Sequence, residues 1–326
     1  MTKALITGIS GQDGSYLAEY LLDLKYEVHG ILQPGTLSQG DPSLWRLREV
    51  RDQLFLHEAD LLNHDSLKAV VQSAAPEECY HLAASTFVVT DPEEEASVLN
   101  INTHSTHQLL MALNREAPDC RMFFAGSSEM FGMADEAPQD EDTPFHPRSI
   151  YGVSKVIGHD LLRFYRDYHG LFACTGVLYN HESPRRGSRF VTRKITSTAA
   201  KIKLGLETEL RLGNIDAERD WGFAGDYIKA MHAMVNADVP DDYVIATGQL
   251  HSVRDFLECT FGELDLNYED FVVTDPEFFR PAEEIPLVGD STKIQSHLGW
   301  QPETSFEATV RAMVQSDLEY VQSMLQ

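Results

Sequence analysis

The chain has 326 residues, of which 43% are hydrophobic and 10% aromatic, and carries a formal net charge of −25. That length and composition fit an ordinary globular protein of one large or two modest domains and exclude a disordered or fibrous chain. So strong an acidic excess repels nucleic acid and anionic membrane, and neither is expected as a partner.

The opening MTKALITGIS runs straight into a strand, and no apolar run approaches the roughly 20 residues that span a bilayer. The four cysteines (Cys79, Cys120, Cys174, Cys259) lie far apart with no Cys-x-x-Cys spacing. A cytoplasmic protein with reduced thiols is expected, with no disulfide frame and no metal site.

Lys3 to Thr7 form an apolar β-type run that ends in Gly8-Ile-Ser-Gly11-Gln12-Asp13-Gly14. A helical pattern follows, with Tyr16, Leu17, Tyr20, Leu21 and Leu24 on one side. In that strand–turn–helix context the glycines permit a tight turn and close backbone approach, and the helix N-terminus faces a pyrophosphate. The turn is therefore a candidate dinucleotide site built from Gly8, Gly11, Gln12, Asp13 and Gly14, although its spacing is G-x-x-G-x-x-G rather than G-x-G-x-x-G.

Glu27 to Leu32 are the second strand. After it a dinucleotide binder places an acid for the adenosine ribose or an arginine for a 2′-phosphate. Gln33-Pro34-Gly35 supplies neither, while Arg46, Arg48 and Arg51 stand close enough in sequence to fold back. Leu54 to His57 make a third strand, with Asp60 and Leu61 beyond it for the adenine. Asp65 to Ala74 are a helix stopped by Pro76. Glu78 to Leu82 are a fourth strand running into Ala83-Ala84-Ser85, small enough to let backbone approach a cofactor. Residues 91–113 are helical and lead to a strand over 121–125. Such alternation predicts an α/β fold with a doubly wound parallel sheet.

Ser127, Ser128 and Glu129 follow the buried strand residues Phe123 to Ala125, at the carboxyl end where such sheets place ligands. Tyr151 and Lys155, four apart, share one helix face. A lysine beside a tyrosine favours the phenolate and makes it a usable base near neutral pH. The bland alternatives are a chance Tyr-x-x-x-Lys on an amphipathic helix and a capping role for Glu129.

The helix continues to about Tyr168, and Phe172 to Leu178 are a buried strand. The βα alternation ends there. It divides a dinucleotide-binding part, 1–178, from a smaller α/β part, 179–326, mainly for the substrate, some of whose strands and helices can return to the first. The second part opens with a basic island. Arg185, Arg186, Arg189, Arg193 and Lys194 fall within ten residues that hold no acid. In so acidic a chain this points to an anion site rather than a solvated face. Helices are expected over Thr192–Leu204, Phe223–Ala237, Ser252–Phe261 and Phe306–Met324, and strands over 208–212 and Tyr243–Thr247. Gly213 to Asp220 form a polar loop, and residues 278–290 a loop with a short strand.

With Gly8-x-x-Gly11-x-x-Gly14, Ser127 and Tyr151-x-x-x-Lys155, the chain resembles the extended short-chain dehydrogenase/reductases, which have a Rossmann-like fold. More closely it is similar to the GDP-mannose 4,6-dehydratase family. The similar blocks are ALITGISGQDGSYLAEYLL (4–22), YNHESPRRGSRFVTRKIT (179–196), LGNIDAERDWGFAGDYIKAM (212–231), DYVIATGQLHSVRDF (242–256) and FFRPAEEIPLVGD (278–290). They span nearly the whole chain, and the Asn180–Thr196 and Gly213–Trp221 blocks are far more specific than any glycine motif.

The resemblance implies an internal redox cycle: hydride leaves C4 of the sugar for a nicotinamide, water is lost across C5–C6, and the hydride returns to C6. It implies Tyr151 as base on the 4-hydroxyl, Lys155 on the nicotinamide ribose, Glu129 as acceptor of the C5 proton, and Ser127 on the 4-oxygen. Leu82, Ala83 and Ala84 would join the cofactor. Ser85, Ser128, Asn180, Arg185, Arg186, Val191, Lys194, Leu212, Gly213, Arg219, Arg280 and Glu283 would meet the GDP-sugar. The resemblance points to tightly held NADP and to a homodimer or tetramer. Gln33-Pro34 replace the arginine pair that the family carries, so NAD stays open beside NADP and dimer beside tetramer. A reductase or epimerase of the same superfamily is the alternative enzyme, and Glu129 discriminates, because simple reduction needs no base at C5. A dinucleotide-sensing protein would be expected to lack Tyr151 or Lys155, and the chain has both.

Overall fold

The computed structural model describes residues 1–39, 42–87, 91–275 and 285–325. The first half alternates strand and helix: β1 (Lys3–Thr7), α1 (Gln12–Asp23), β2 (Glu27–Leu32), a short α2 (Thr36–Gln39), β3 (Phe55–Glu58), α3 (His64–Ala74), β4 (Glu78–His81), α4 (Pro92–Glu116), β5 (Arg121–Ala125), α5 (Ile150–His169) and β6 (Ala173–Leu178). The second half adds β7 (Asn180–Glu182), α6 (Val191–Lys203), β8 (Leu210–Leu212), β9 (Glu218–Phe223), α7 (Ala224–Val235) and β10 (Tyr243–Ile245). It ends with β11 (Leu250–Ser252), α8 (Val253–Gly262), β12 (Val272–Thr274), α9 (Thr292–Leu298) and α10 (Phe306–Met324).

Seven parallel strands form the main sheet in the order β10-β6-β5-β4-β1-β2-β3. Helices cover both faces, which is why its strands are continuous apolar runs rather than alternating ones. Leu17, Leu21 and Met231 from α1 and α7 fill one face. Val71, Leu110 and Leu162 from α3, α4 and α5 fill the other. The fold is the doubly wound, Rossmann-like sheet expected. Strand order reverses between β1 and β4, so a crevice opens past their carboxyl ends.

Residues after 178 divide between two cores. β10 pairs with β6 in the main sheet, and α7 packs on α1. Ile195, Trp221, Phe256 and Met313 instead form a second core with α6, β9, α8 and α10. Two small sheets complete this part, β11-β9-β7 and β12-β8. The polar loop read over Gly213 to Asp220 is shorter than expected, because β9 begins at Glu218. Asp220 is fully buried there, and its carboxylate accepts from the backbone N–H groups of Thr247 at 2.9 Å and Gly248 at 2.9 Å. Among the described residues no helix is long and apolar enough to cross a membrane.

Candidate active site

The crevice wall is set by the glycine turn. Gly8 has φ of +72°, and a Cβ there would lie 2.9 Å from the Ala83 backbone, so a side chain would force β1 and the loop after β4 apart. Gly11 N donates to Gly8 O at 2.9 Å, and α1 begins at Gln12 with its first N–H groups open to the crevice end. Across from it, Ala83 N donates to the Thr7 hydroxyl at 3.1 Å. Leu82 and Ala83 thus border the turn, and Ala84 follows them. Asp60 and Leu61 lie past the carboxyl end of β3, where Asp60 Oδ1 accepts from Leu62 N at 2.9 Å.

Gln33 and Pro34 at the end of β2 are exposed. Arg46 folds back to the turn: its Nη1 donates to Ser10 O at 3.3 Å and its Nε to Arg185 O at 2.9 Å. Burial lowers its pKa, and the Arg193 and Arg185 charges lower it further, so three guanidiniums face one region. Arg48 does not reach the turn and instead pairs with Glu49 at the surface.

Ser127, Glu129, Tyr151 and Lys155 converge past the end of β5. Ser127 caps the short turn Ser128–Met130, its hydroxyl accepting from Glu129 N at 3.3 Å. Ser149 caps α5 by accepting from Gly152 N at 3.1 Å. A Cβ at position 152 would lie 2.4 Å from Glu129 O, so glycine is what lets the first turn of α5 sit against the Glu129 turn. This places the Tyr151 phenol within hydrogen-bonding reach of Ser127 and in the field of Glu129. Lys155, 3% exposed, donates to Ala125 O at 2.6 Å, and its Nζ lies 5.8 Å from the Tyr151 ring centre.

The electrostatics correct one expectation. Lys155 does not lower the phenol: burial pushes Tyr151 up to about 12, the Ser127 hydrogen bond acting against it. Burial also drives Lys155 down to about 7, with the Asp13 charge opposing. Burial thus disfavours the charged form of both groups, and the Asp13 charge counters it at Lys155.

The nucleotide-sugar side is built from β7, the segment after it, and β9. Asn180 pairs in register with Trp221. The basic island is neither a solvated face nor a set of unpaired cations. Arg185 pairs with Glu19 at 2.6 Å, Arg186 with Glu182 at 3.1 Å, and Arg193 with Asp317 at 2.6 Å. These acids lie outside the ten-residue window that suggested an anion site. Val191 is 38% exposed at the start of α6, and burial lowers the Lys194 pKa. Leu212 ends β8, Gly213 follows it, and Arg219 lies in β9. Ser128 is buried beside the Glu129 turn. Arg280 and Glu283, with most of the 278–290 stretch, lie outside the described residues.

Two residues at the site were not singled out from the sequence. Asn102, buried in α4, accepts from Ser85 N at 2.8 Å and donates to Ser85 O at 3.1 Å and the Ser154 hydroxyl at 2.9 Å. It fixes the loop after β4 to α5. Nothing in the sequence marks it out, since it stands in a run of polar residues, 102–108. His181 meets Asp13 at 3.0 Å, a contact between residues 168 apart that no local pattern shows.

The family model described as GDP-mannose 4,6 dehydratase matches residues 5–313. GDP-mannose 4,6 dehydratase 2 of Arabidopsis thaliana is 45% identical over 97% of this chain and 87% of its own length. GDP-mannose 4,6-dehydratase of Yersinia enterocolitica is 40% identical over 98% and 94%. Among solved structures, RMD from Pseudomonas aeruginosa complexed with NADPH superposes with a TM-score of 0.82 at 25% identity, covering 98% of this chain and 100% of that one. A match over almost the whole length, at up to 45% identity, places this chain in the GDP-mannose 4,6-dehydratase family.

Proposed function

We propose that the β1/β4 crevice holds a nicotinamide dinucleotide with its pyrophosphate at the N-terminus of α1, and that a GDP-sugar lies with its hexose against Ser127, Glu129 and Tyr151. The activity is that of a GDP-mannose 4,6-dehydratase, a hydro-lyase. The observation that carries the assignment of roles is the convergence of Ser127, Glu129, Tyr151 and Lys155 at the end of β5. A bound nicotinamide supplies the site that accepts hydride from C4 and later returns it to C6. Tyr151 takes the 4-hydroxyl proton, with Ser127 holding the oxygen. Lys155 keeps positive charge near the phenol and the ribose. Once C4 is a ketone, C5–H is acidic enough for the Glu129 carboxylate to remove it as water leaves C6.

Arg46 supports NADP over NAD. It is a partly buried guanidinium that donates to two carbonyl oxygens and lies over the Trp45 ring, and it stands beside the turn where β2 supplies no cation. The NADPH in the Pseudomonas structure supports the same choice. On the sugar-nucleotide side, Asn180, Arg185, Arg186, Val191, Lys194, Leu212, Gly213 and Arg219 remain our assignment for the GDP moiety, within the mainly substrate-binding part after residue 178. Ile157, Phe164 and Tyr168 leave an exposed apolar stripe along α5, with Ile101 exposed on α4, which supports a homodimer through these helices. Four unpaired cysteines support a cytoplasmic setting.

The test is to incubate the purified protein with GDP-mannose and other nucleotide sugars, without added cofactor. GDP-mannose should lose the mass of one water. In Glu129→Gln, reduced nicotinamide should build up on the enzyme when sugar is added, since oxidation at C4 precedes proton removal at C5. Release of the 4-keto-6-deoxy product at the normal rate by that variant would assign the C5 base elsewhere.

A further inference from the structure

His181 stands in the middle of β7, 8% exposed, its ring stacked on Tyr227 with 4.6 Å between centroids. Its Nδ1 lies 2.7 Å from the Tyr179 carbonyl oxygen, which can only accept, so that nitrogen carries a proton. Its Nε2 lies 3.0 Å from Asp13 Oδ2. A ring whose two nitrogens both face acceptors is an imidazolium, and its partner is a carboxylate.

Burial alone would lower the His181 pKa, yet the Asp13 charge and hydrogen bond raise it above the ordinary value. Burial alone would raise the Asp13 carboxyl, yet His181 brings it below its usual value. The groups around them are mixed. Arg186, beyond β7, acts on both and is itself paired with Glu182, while Tyr227 of α7 presents a neutral ring. Lys155 of α5 feels Asp13 as the charge that opposes its own deprotonation.

Asp13 lies in the first turn of α1 and its side chain is 21% exposed. On the reading given above, that is the end of the helix that meets the cofactor phosphates, where a bare carboxylate would repel them. Neighbouring bonds tie the same two elements. Gln12 Nε2 donates to His181 O at 3.1 Å, and the Ser183 hydroxyl donates to Gln12 Oε1 at 2.7 Å.

We propose that Asp13 and His181 are a positioning pair for this reaction. His181 cancels the Asp13 charge at the phosphate end of α1, and the pair locks the cofactor turn to the sugar-nucleotide strand. The proposal deepens the dinucleotide reading of the glycine turn and rests on it.

The test titrates NADPH by fluorescence into the wild type, Asp13→Asn, His181→Gln and the double variant, with melting temperatures recorded for each. His181→Gln should weaken NADPH by about tenfold or more, because it leaves an uncancelled carboxylate beside the phosphates. Asp13→Asn should weaken it by no more than about threefold, and the double variant should bind like Asp13→Asn. A purely structural contact would not give that rescue. A double variant as weak as His181→Gln, or weaker, overturns the proposal. If the wild type itself fails to bind NADPH or NADH, the dinucleotide reading of the turn falls and takes the proposal with it, an outcome distinct from binding without rescue.

Discussion

Arg46 is a residue whose partners are an incomplete match to its charge. A guanidinium that donates to two carbonyls satisfies hydrogen bonds but gains no counter-charge, and burial with Arg185 and Arg193 nearby penalises it. A phosphate in that region would remove the penalty. Arg46→Ala should therefore weaken NADP by roughly tenfold or more while changing NAD by less than about threefold. Equal losses for both cofactors in a binding titration would mean that Arg46 only props the loop. His81 makes the opposite case, a histidine built to stay neutral. The Thr7 hydroxyl, already accepting from Ala83 N, meets its Nδ1 at 2.8 Å. Thr106, which donates to Asn102 O, accepts from its Nε2 at 3.1 Å. Burial lowers its pKa to about 3, the Lys155 charge adding to the effect. A histidine with a depressed folded-state pKa gives stability that is complete above its unfolded value near 6.5 and is lost as pH falls towards 3. Between pH 6.5 and 5 the loss is about 2 kcal/mol. Urea unfolding across that range should show it, and His81→Gln should flatten the slope by a similar amount; an unchanged slope would remove His81 as its source.

At the scale of elements, the site depends on how closely α5 approaches the turn after β5. Alanine is favoured over glycine inside a helix by about 1 kcal/mol, so Gly152→Ala would stabilise α5 in isolation. Here the new Cβ would meet Glu129 O at 2.4 Å and must push the Glu129 turn away from Tyr151. Turnover should drop by about tenfold to a hundredfold with the protein still folded, since small misplacements of reacting groups are costly. Wild-type kcat in that variant would show that the turn yields without cost. The same elements show what a sequence discloses. α10 spans Phe306–Met324 as expected, because a long amphipathic pattern and a capping serine mark it. β7, β11 and α9 escaped notice because three to seven residues are too few to display a period. The four catalytic candidates were legible from their types and spacing within one βα unit. The Arg46 back-fold, the Asp13–His181 contact and the acids that pair with the basic island join residues far apart in the chain, so only the fold reveals them. The protonation expected of Tyr151 failed for a related reason: spacing gives proximity to Lys155, whereas the pKa is governed by desolvation from the whole crevice.

Over the whole molecule the dominant electrostatic fact is 51 acidic against 26 basic side chains. Most pairs involving the basic residues at the surface, such as Arg48–Glu49 and Arg254–Asp216, are exposed and contribute little to stability. Arg193–Asp317 and the bidentate Arg166–Asp242 are better shielded and anchor α6 to α10 and α5 to the start of β10. Salt acts differently on these two classes. It weakens the exposed pairs, leaves the shielded ones largely intact, and screens the repulsion among the excess acids, whose range falls from about 10 Å at 0.1 M to about 3 Å at 1 M. With acids outnumbering bases so heavily, relief of repulsion should win over loss of surface pairs. The unfolding midpoint is therefore expected to rise by several degrees, on the order of 1–2 kcal/mol, as KCl goes from about 0.05 to 0.5 M, and then to level off. NaCl at equal ionic strength should give the same curve, because screening does not distinguish the cations. A midpoint that stays flat or falls would show that self-repulsion is not what limits this fold, and a rise with one cation alone would point to specific ion binding instead.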